Sequence, residues 1–368
     1  MPSRANPAEV IAAAAAAIAP PAATAAAEAR SRQDRLTKPP GALGRLEELA
    51  VRIAGMRGCA RPRLEQRLVV VAAADHGVAA RGVSAYPPEV TAQMVANFLA
   101  GGAAINVLAD HAGARVRVVD AGVLSPLDPP SGRSGGAQLA RLDLPRGSGD
   151  ITEGPAMSRE TAERAIVAGI ALVEEERAGP GLDIVGCGEM GIGNSTAAAA
   201  LIAAATGRPP EAVTGRGSGV EGAALRAKIG AIEAALAVNR PDRGDGVALL
   251  AALGGHEIGV LAGVYLGAAV ARIPAVMDGL ISGAAALVAA TIAPGVRDYI
   301  VASHRSPEPG HAAALEALEA EPLLDLGMRL GEGSGAALGI SLCVAACRVL
   351  DEMATFGEAG VSDAPQQG

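Results

Sequence analysis

Short β-branched runs alternating with long Ala/Leu segments constrain this chain more than any other feature. Leu68-Val69-Val70-Val71-Ala72-Ala73 shows no alternation of apolar and polar residues. Such a run suits a strand covered on both faces, as in a parallel sheet. It leads into Asp75-His76-Gly77. Four more runs behave alike: 115–119 leads into Asp120-Ala121-Gly122, 182–185 into Gly186-Cys187-Gly188-Glu189, 273–277 into Asp278-Gly279, and 299–302 into Ser303-His304-Arg305-Ser306. Helix-length segments at 91–109, 158–176, 196–206, 219–238, 246–252 and 282–293 accompany them. This order predicts an α/β fold with a doubly wound, mainly parallel, Rossmann-like sheet. Ligands of such sheets bind beyond the carboxyl ends of the strands. Five polar strand ends therefore predict a converging polar site.

The flanks read differently. Residues 7–58 read as helices broken at Pro20-Pro21 and at Lys38-Pro39-Pro40-Gly41, and helix 43–56 places Leu46, Leu49, Ala50 and Ile53 on one face. A long apolar helix follows Gly335. The expected organisation is an N-terminal helical segment, 1–62, an α/β catalytic domain, 63–335, and a C-terminal helix, 336–368, that returns to form a small helical domain with the N-terminal segment. The Pro-, Gly- and Ser-rich stretch 125–145 reads as a surface excursion.

Composition narrows the function classes. Half of the 368 residues are hydrophobic, yet Tyr86, Tyr265, Tyr299, Phe98 and Phe356 are the only aromatics. A core of Ala, Val, Leu and Ile must then pack helices closely. The net charge is -8 with no basic run, which argues against nucleic-acid binding. Cys59, Cys187, Cys343 and Cys347 form no zinc-type pair and read as packing residues of a reducing compartment, so a cytoplasmic location is expected. The Ala run 12–17 reads as a helix rather than a signal peptide. Segment 247–271 is apolar enough to suggest a membrane span. His256-Glu257 in its middle would be costly at bilayer depth, so a buried helix of a soluble protein is expected and no membrane partner.

The strongest local motif is Gly186-Cys187-Gly188-Glu189-Met190-Gly191-Ile192-Gly193-Asn194-Ser195-Thr196. A strand enters it and an Ala-rich helix leaves it, with Asn194 or Ser195 as the natural N-cap. Glycines before a helix start let backbone N–H groups approach an anion, so the motif reads as a phosphate site or as a simple tight turn. It lacks the Lys-Ser/Thr of a Walker loop and the acidic residue about 20 positions on that dinucleotide folds carry. A second glycine loop, 214–219, offers Arg216 to a phosphate or to solvent. Lys228, taken alone, reads as solvent-facing. His76, His111, His256, His304 and His311 show no metal-ligand spacing, and no G-x-S-x-G elbow is present. In Arg329-Leu330-Gly331-Glu332-Gly333-Ser334-Gly335, a carboxylate stands between glycines. It is either a solvated loop residue or a carboxylate on a tight turn that a ligand approaches.

Taken together in order, Thr37-Lys38-Pro39-Pro40-Gly41, Asp75-His76-Gly77-Val78 through Ser84-Ala85-Tyr86-Pro87, the Gly188–Thr196 motif, Gly254-Gly255-His256-Glu257, Met277-Asp278-Gly279-Leu280-Ile281-Ser282-Gly283, Ser303-His304-Arg305-Ser306 and Leu330–Gly335 resemble the nicotinate-nucleotide:dimethylbenzimidazole phosphoribosyltransferase family of cobalamin biosynthesis. The resemblance covers about residues 36–362. It implies transfer of the 5-phosphoribosyl group of nicotinate mononucleotide to 5,6-dimethylbenzimidazole, giving α-ribazole 5'-phosphate and nicotinate, by a homodimer that needs no cofactor and no metal. It implies Glu332 as general base. It places Glu189, Gly191, Ile192, Gly193, Asn194, Ser195, Lys228, Asp278 and Ser306 at the phosphate and ribose, with Ser306 drawn from either subunit. It places Ser84, Tyr86, Gln93 and Met190 near the acceptor base. Relatives use adenine or phenolic acceptors, and a non-catalytic nucleotide-binding relative is the remaining alternative. The Ala-rich first 28 residues carry no motif of the family.

Overall fold

The computed structural model describes residues 6–127, 137–217 and 219–362. Among these residues six strands form one sheet: β1 (Arg67–Ala73), β2 (Arg115–Asp120), β3 (Gln138–Arg141), β4 (Ile184–Met190), β5 (Ala275–Met277) and β6 (Ile300–Ala302). Their order is β3-β2-β1-β4-β5-β6, and all five pairings are parallel. The strand order reverses between β1 and β4, which is the crevice where doubly wound sheets bind ligands. The central strands are buried on both faces, as continuous β-branched runs require.

Alternation along β4 shows how the two faces are covered. A Cβ on Gly186 would meet Ala336 and Ile340 of the helix Ser334–Glu352, and one on Gly188 would meet the backbone of Glu332 and Gly333. Cys187, between them, points the other way to Tyr265 of the helix His256–Val270. The scarcity of aromatics has its counterpart in close helix contacts. A Cβ on Gly263 would stand 1.9 Å from the carbonyl oxygen of Ile166, so the helices His256–Val270 and Arg159–Ala178 touch backbone to backbone.

Several expectations need correction. Strand β3 lies inside the stretch read as an excursion, of which residues 128–136 fall outside the described residues. It is a short edge strand with no buried residue, so no apolar run announces it. Segment 91–109 is two helices, Val90–Ala100 and Ala104–His111, divided at Gly101-Gly102. Segment 247–271 is also two, Gly246–Leu253 and His256–Val270, divided at Gly254-Gly255. Left-handed Gly101 ends the first helix of one pair, and extended Gly254 and Gly255 separate the other. Among the described residues two stretches, Val90–His111 and Ser334–Glu352, are long and apolar enough to cross a membrane by composition. The first is broken by its glycines, and the second packs onto β4 with its apolar face buried.

The N-terminal helices Pro7–Ala17 and Ala23–Gln33 are separated at Pro20-Pro21, as the prolines require. The helix Arg45–Arg57 buries Leu49, Ala50 and Ile53. Arg32 binds the carbonyls of Leu350, Asp351 and Met353, and Leu36 bridges to Thr355. The two chain ends thus meet, while Ser334–Glu352 also covers the sheet itself.

Candidate active site

A cleft of about 540 Å³ opens beyond the carboxyl ends of β4, β5 and β6. Its volume falls in the range that holds a small organic ligand. The strand ends deliver Glu189 to Ser195, Gly279 to Ile281, and His304 with Ser306, while the 329–332 turn supplies Glu332. Ser84, Tyr86, Val90 and Met94 close one side.

Glu332 is not a solvated loop residue. It is buried, with φ of +63° between Gly331 at +85° and Gly333 at +86°. A left-handed conformation costs a non-glycine residue roughly 1–2 kcal/mol. The surroundings impose it. Gly188 leaves no room for a Cβ beneath the Glu332 carbonyl, and one oxygen of Asp278 accepts the N–H groups of Gly335 at 2.7 Å and Ala336 at 3.1 Å. The other accepts the N–H of Gly333 at 3.2 Å. Asp278 therefore caps the helix Ser334–Glu352 and holds the turn that precedes it. It stands behind the cleft wall rather than in it. Its own N–H donates to Ser282 Oγ, and Ser282 meets Tyr265.

Burial pushes the Glu332 carboxyl above the ordinary range, with the Asp278 charge adding and the nearby Ile105 backbone N–H opposing. Glu332 Oε2 is buried and has no partner among the described residues. Glu189 lies close by, and a Cβ on Gly331 would stand 2.4 Å from its Oε1. Burial pushes Glu189 up to about 8; the charges of Asp278, Glu257 and Glu332 add to this and the Asn194 amide opposes it. Two desolvated carboxyls thus share one end of the cleft.

The glycine loop forms the floor. The helix Asn194–Thr206 starts from Gly193, whose φ is +97° and which has no side chain to cap it. Asn194 is therefore not the N-cap expected from its residue type. Its side-chain amide donates to Glu189 instead. Thr91 Oγ1 holds the N–H of Ile192 at 3.1 Å, a role with no local sequence signal because the two residues are 101 apart.

Lys228 is fully buried, contrary to its isolated reading as solvent-facing. Its ammonium donates to Ser195 Oγ at 2.9 Å, and burial pushes its pKa down to about 8 against the opposing charge of Glu308. Glu308 Oε1 accepts the N–H of Gly217 at 2.9 Å, and Arg329 donates to the Gly217 carbonyl. The second glycine loop, whose Ser218 lies outside the described residues, thus closes the same cleft. Arg216 turns to Glu221 at the surface.

Ser306 donates its N–H to His311 Nδ1 at 3.0 Å. Burial, with His304 and Arg305 adding, pushes His311 down to about 3, so it accepts as a neutral ring. Burial works against protonation of His304, but Asp278 beside it outweighs this and raises its pKa. Tyr86 is exposed at the mouth, and Met190 lines the cleft. Gln93 is exposed and outside the lining; the same helix offers Val90 and Met94, one turn apart on its inner side. Sequence reading also passed over His304, Glu308 and Arg329 as site residues. The first stands at a polar strand end, which is the signal that could have placed it. Among the described residues no cluster of His, Cys, Asp or Glu is arranged to hold a metal ion.

A phosphoribosyltransferase family model matches residues 18–361. The chain belongs to this family. A nicotinate-nucleotide–dimethylbenzimidazole phosphoribosyltransferase from Roseiflexus sp. (strain RS-1) is 60% identical over 336 residues, covering 91% of this chain and 93% of that one. The enzyme of the same name from Mycobacterium avium (strain 104) is 54% identical, covering 92% and 95%. A crystal structure of this phosphoribosyltransferase from Thermus thermophilus superposes with a TM-score of 0.85 at 48% identity, covering 93% of this chain and all of that one. The family is one of phosphoribosyltransferases, and the cleft, with Glu332 and Glu189 at one end and the glycine loop as its floor, is the candidate site for that chemistry.

Proposed function

We propose that this cleft transfers the 5-phosphoribosyl group of nicotinate mononucleotide to 5,6-dimethylbenzimidazole, with Glu332 as general base, in the lower-ligand branch of cobalamin biosynthesis. The observation that carries the role of Glu332 is its buried carboxyl group, held on a left-handed turn that lines the cleft, with Oε2 unpartnered among the described residues. The donor is a pyridinium, so its glycosidic bond is already activated. That bond breaks with its electron pair passing to the nicotinate nitrogen. A neutral benzimidazole nitrogen forms the new bond to the anomeric carbon from the opposite face, inverting β to α. The proton on the other ring nitrogen passes to Glu332. General-base assistance of this kind contributes roughly 10²–10⁴-fold. A desolvated carboxylate of raised pKa is better matched to that proton than a solvated one.

The phosphate fits the floor. Gly191 to Ser195 offer a helix start whose N-cap is a glycine, and Lys228 supports it through Ser195. Ser306 completes that end. Met190, Val90, Met94 and Tyr86 supply an apolar wall for the acceptor ring, with Ser84 at its edge. The protein acts as a cytoplasmic homodimer in this reading; Tyr86 and Leu330, exposed at the mouth, are surfaces a second copy would cover. Light scattering that shows a monomer at working concentration overturns the dimer.

Incubation with nicotinate mononucleotide and dimethylbenzimidazole is expected to release nicotinate and α-ribazole 5'-phosphate in equal amounts. Tight binding of both without release would establish a binding protein instead. Competition among dimethylbenzimidazole, adenine and phenol is expected to favour dimethylbenzimidazole.

A further inference from the structure

Beneath the glycine loop lies a buried pair that the chemistry above does not use. His76 Nε2 stands 2.7 Å from Glu257 Oε1, both side chains sealed from solvent and 181 residues apart in the chain. The backbone around His76 is clamped from two sides. The N–H of Ala74 donates to the carbonyl of Met190, and that of Gly77 to the carbonyl of Ser148. Glu257 stands in the first turn of the helix His256–Val270, where the helix dipole favours a carboxylate.

Three glycines make room for the histidine. A Cβ on Gly255 would stand 2.3 Å from His76 Cε1, one on Gly191 3.4 Å from Cδ2, and one on Gly193 3.3 Å from the His76 Cβ. The side chain therefore touches the underside of the loop whose upper side lines the cleft. An apolar pair could fill the same volume without the cost of Glu257 Oε2, which has no partner among the described residues. What an apolar pair could not do is fix the plane of a ring by a directed bond.

We propose that His76 and Glu257 are positioning residues for the donor's phosphate. They hold Gly191-Ile192-Gly193 at the height at which its backbone meets that phosphate. Gly191 and Gly193 carry no side chain to anchor them, and glycine is the most conformationally free residue. Thr91 ties the loop from the side and the His76 ring supports it from below. Neither His76 nor Glu257 lines the cleft, so neither touches substrate. This inference rests on the phosphoribosyl-transfer reading and extends it to residues outside the cleft.

The test measures KM for each substrate separately, with melting curves to establish folding. His76→Asn keeps a polar side chain too short to reach Glu257. It is expected to raise KM for nicotinate mononucleotide about tenfold or more, the scale of a small misplacement, with KM for dimethylbenzimidazole unchanged. His76→Gln, which can place an amide near the position of Nε2, is expected to recover most of that loss. Glu257→Ala is expected to match His76→Asn, and the double variant to be no worse than either. A folded His76→Asn protein with wild-type KM for the donor overturns the proposal. So does an equal rise for both substrates, or a His76→Gln variant as impaired as His76→Asn. Should His76→Asn or Glu257→Ala fail to fold, Glu257→Gln decides: a weakened donor KM that returns towards wild type when paired with His76→Gln supports the pair, and an unchanged donor KM overturns it. If the wild-type protein releases no nicotinate, the underlying reading fails instead, which is a distinct outcome.

Discussion

The helices Asn194–Thr206 and Ser334–Glu352 begin alike and end up serving opposite purposes. Each starts from a left-handed glycine, Gly193 or Gly333, and neither has a side-chain cap from its own N-cap residue. Each follows a buried glutamate, Glu189 or Glu332. At the second helix the exposed N–H groups are taken by Asp278, a carboxylate from the end of β5. At the first helix, among the described residues, no carboxylate accepts from the backbone. The N–H groups of Asn194 and Thr196 turn back to Gly191 and Gly193. One helix start is thus neutralised from within, and the other is left to face the cleft. In the proposed mechanism the difference separates the helix start that receives an external anion from the one that builds a fixed base.

The comparison can be broken most severely at the base. Glu332→Gln is expected to lower kcat by roughly 10²–10⁴-fold, with donor affinity unchanged by calorimetry; near wild-type turnover would remove Glu332 from its role. Next is the internal cap. Asp278→Ala leaves three N–H groups without their carboxylate and is expected to cost about 3 kcal/mol in urea unfolding, together with most of the turnover. A loss below about 1 kcal/mol would show that the turn does not depend on it.

A third effect separates the two glutamates by pH. Glu189 is raised from the ordinary range to about 8. Across this window the folded protein holds a proton that the unfolded chain has released, so stability falls as pH rises from about 4.5 towards about 8. Glu189→Gln is expected to flatten that slope and to gain on the order of 2 kcal/mol relative to wild type at pH 8.5. Parallel melting curves for the two proteins between pH 5 and 9 would contradict it. The smallest effect has the opposite sign to the first. Glu332→Gly abolishes the base but relieves its left-handed backbone, and is expected to stabilise by about 1 kcal/mol. Destabilisation in urea would show that the turn is not strained.

Much of this was legible before the structure. β1, β2, β4, β5 and β6 are announced by apolar runs because strands buried on both faces tolerate little else, and their polar ends foretell a cleft. β3 is silent, since a short edge strand carries no such run. Splits at Gly101-Gly102 and Gly254-Gly255 were missed because apolar composition continues through them. Lys228 is drawn to the site by the family resemblance alone, because a lysine on a helix carries no sign that it will be buried behind Ser195. Asp278 was drawn to the site, but its work behind the wall depends on backbone groups 55 to 58 residues away. Contacts of that span leave no local pattern.

The close approach of Gly188 to Glu332 and Gly333 separates what can vary in this enzyme from what cannot. The spacing between the β4 end and the base is set where backbone meets backbone, so no choice of side chain can adjust it. The apolar wall proposed for the acceptor ring draws on the side chains of Tyr86, Val90, Met94 and Met190. In the proposed reading, acceptor preference can therefore be rewritten at those four positions while the machinery that breaks the glycosidic bond stays in place.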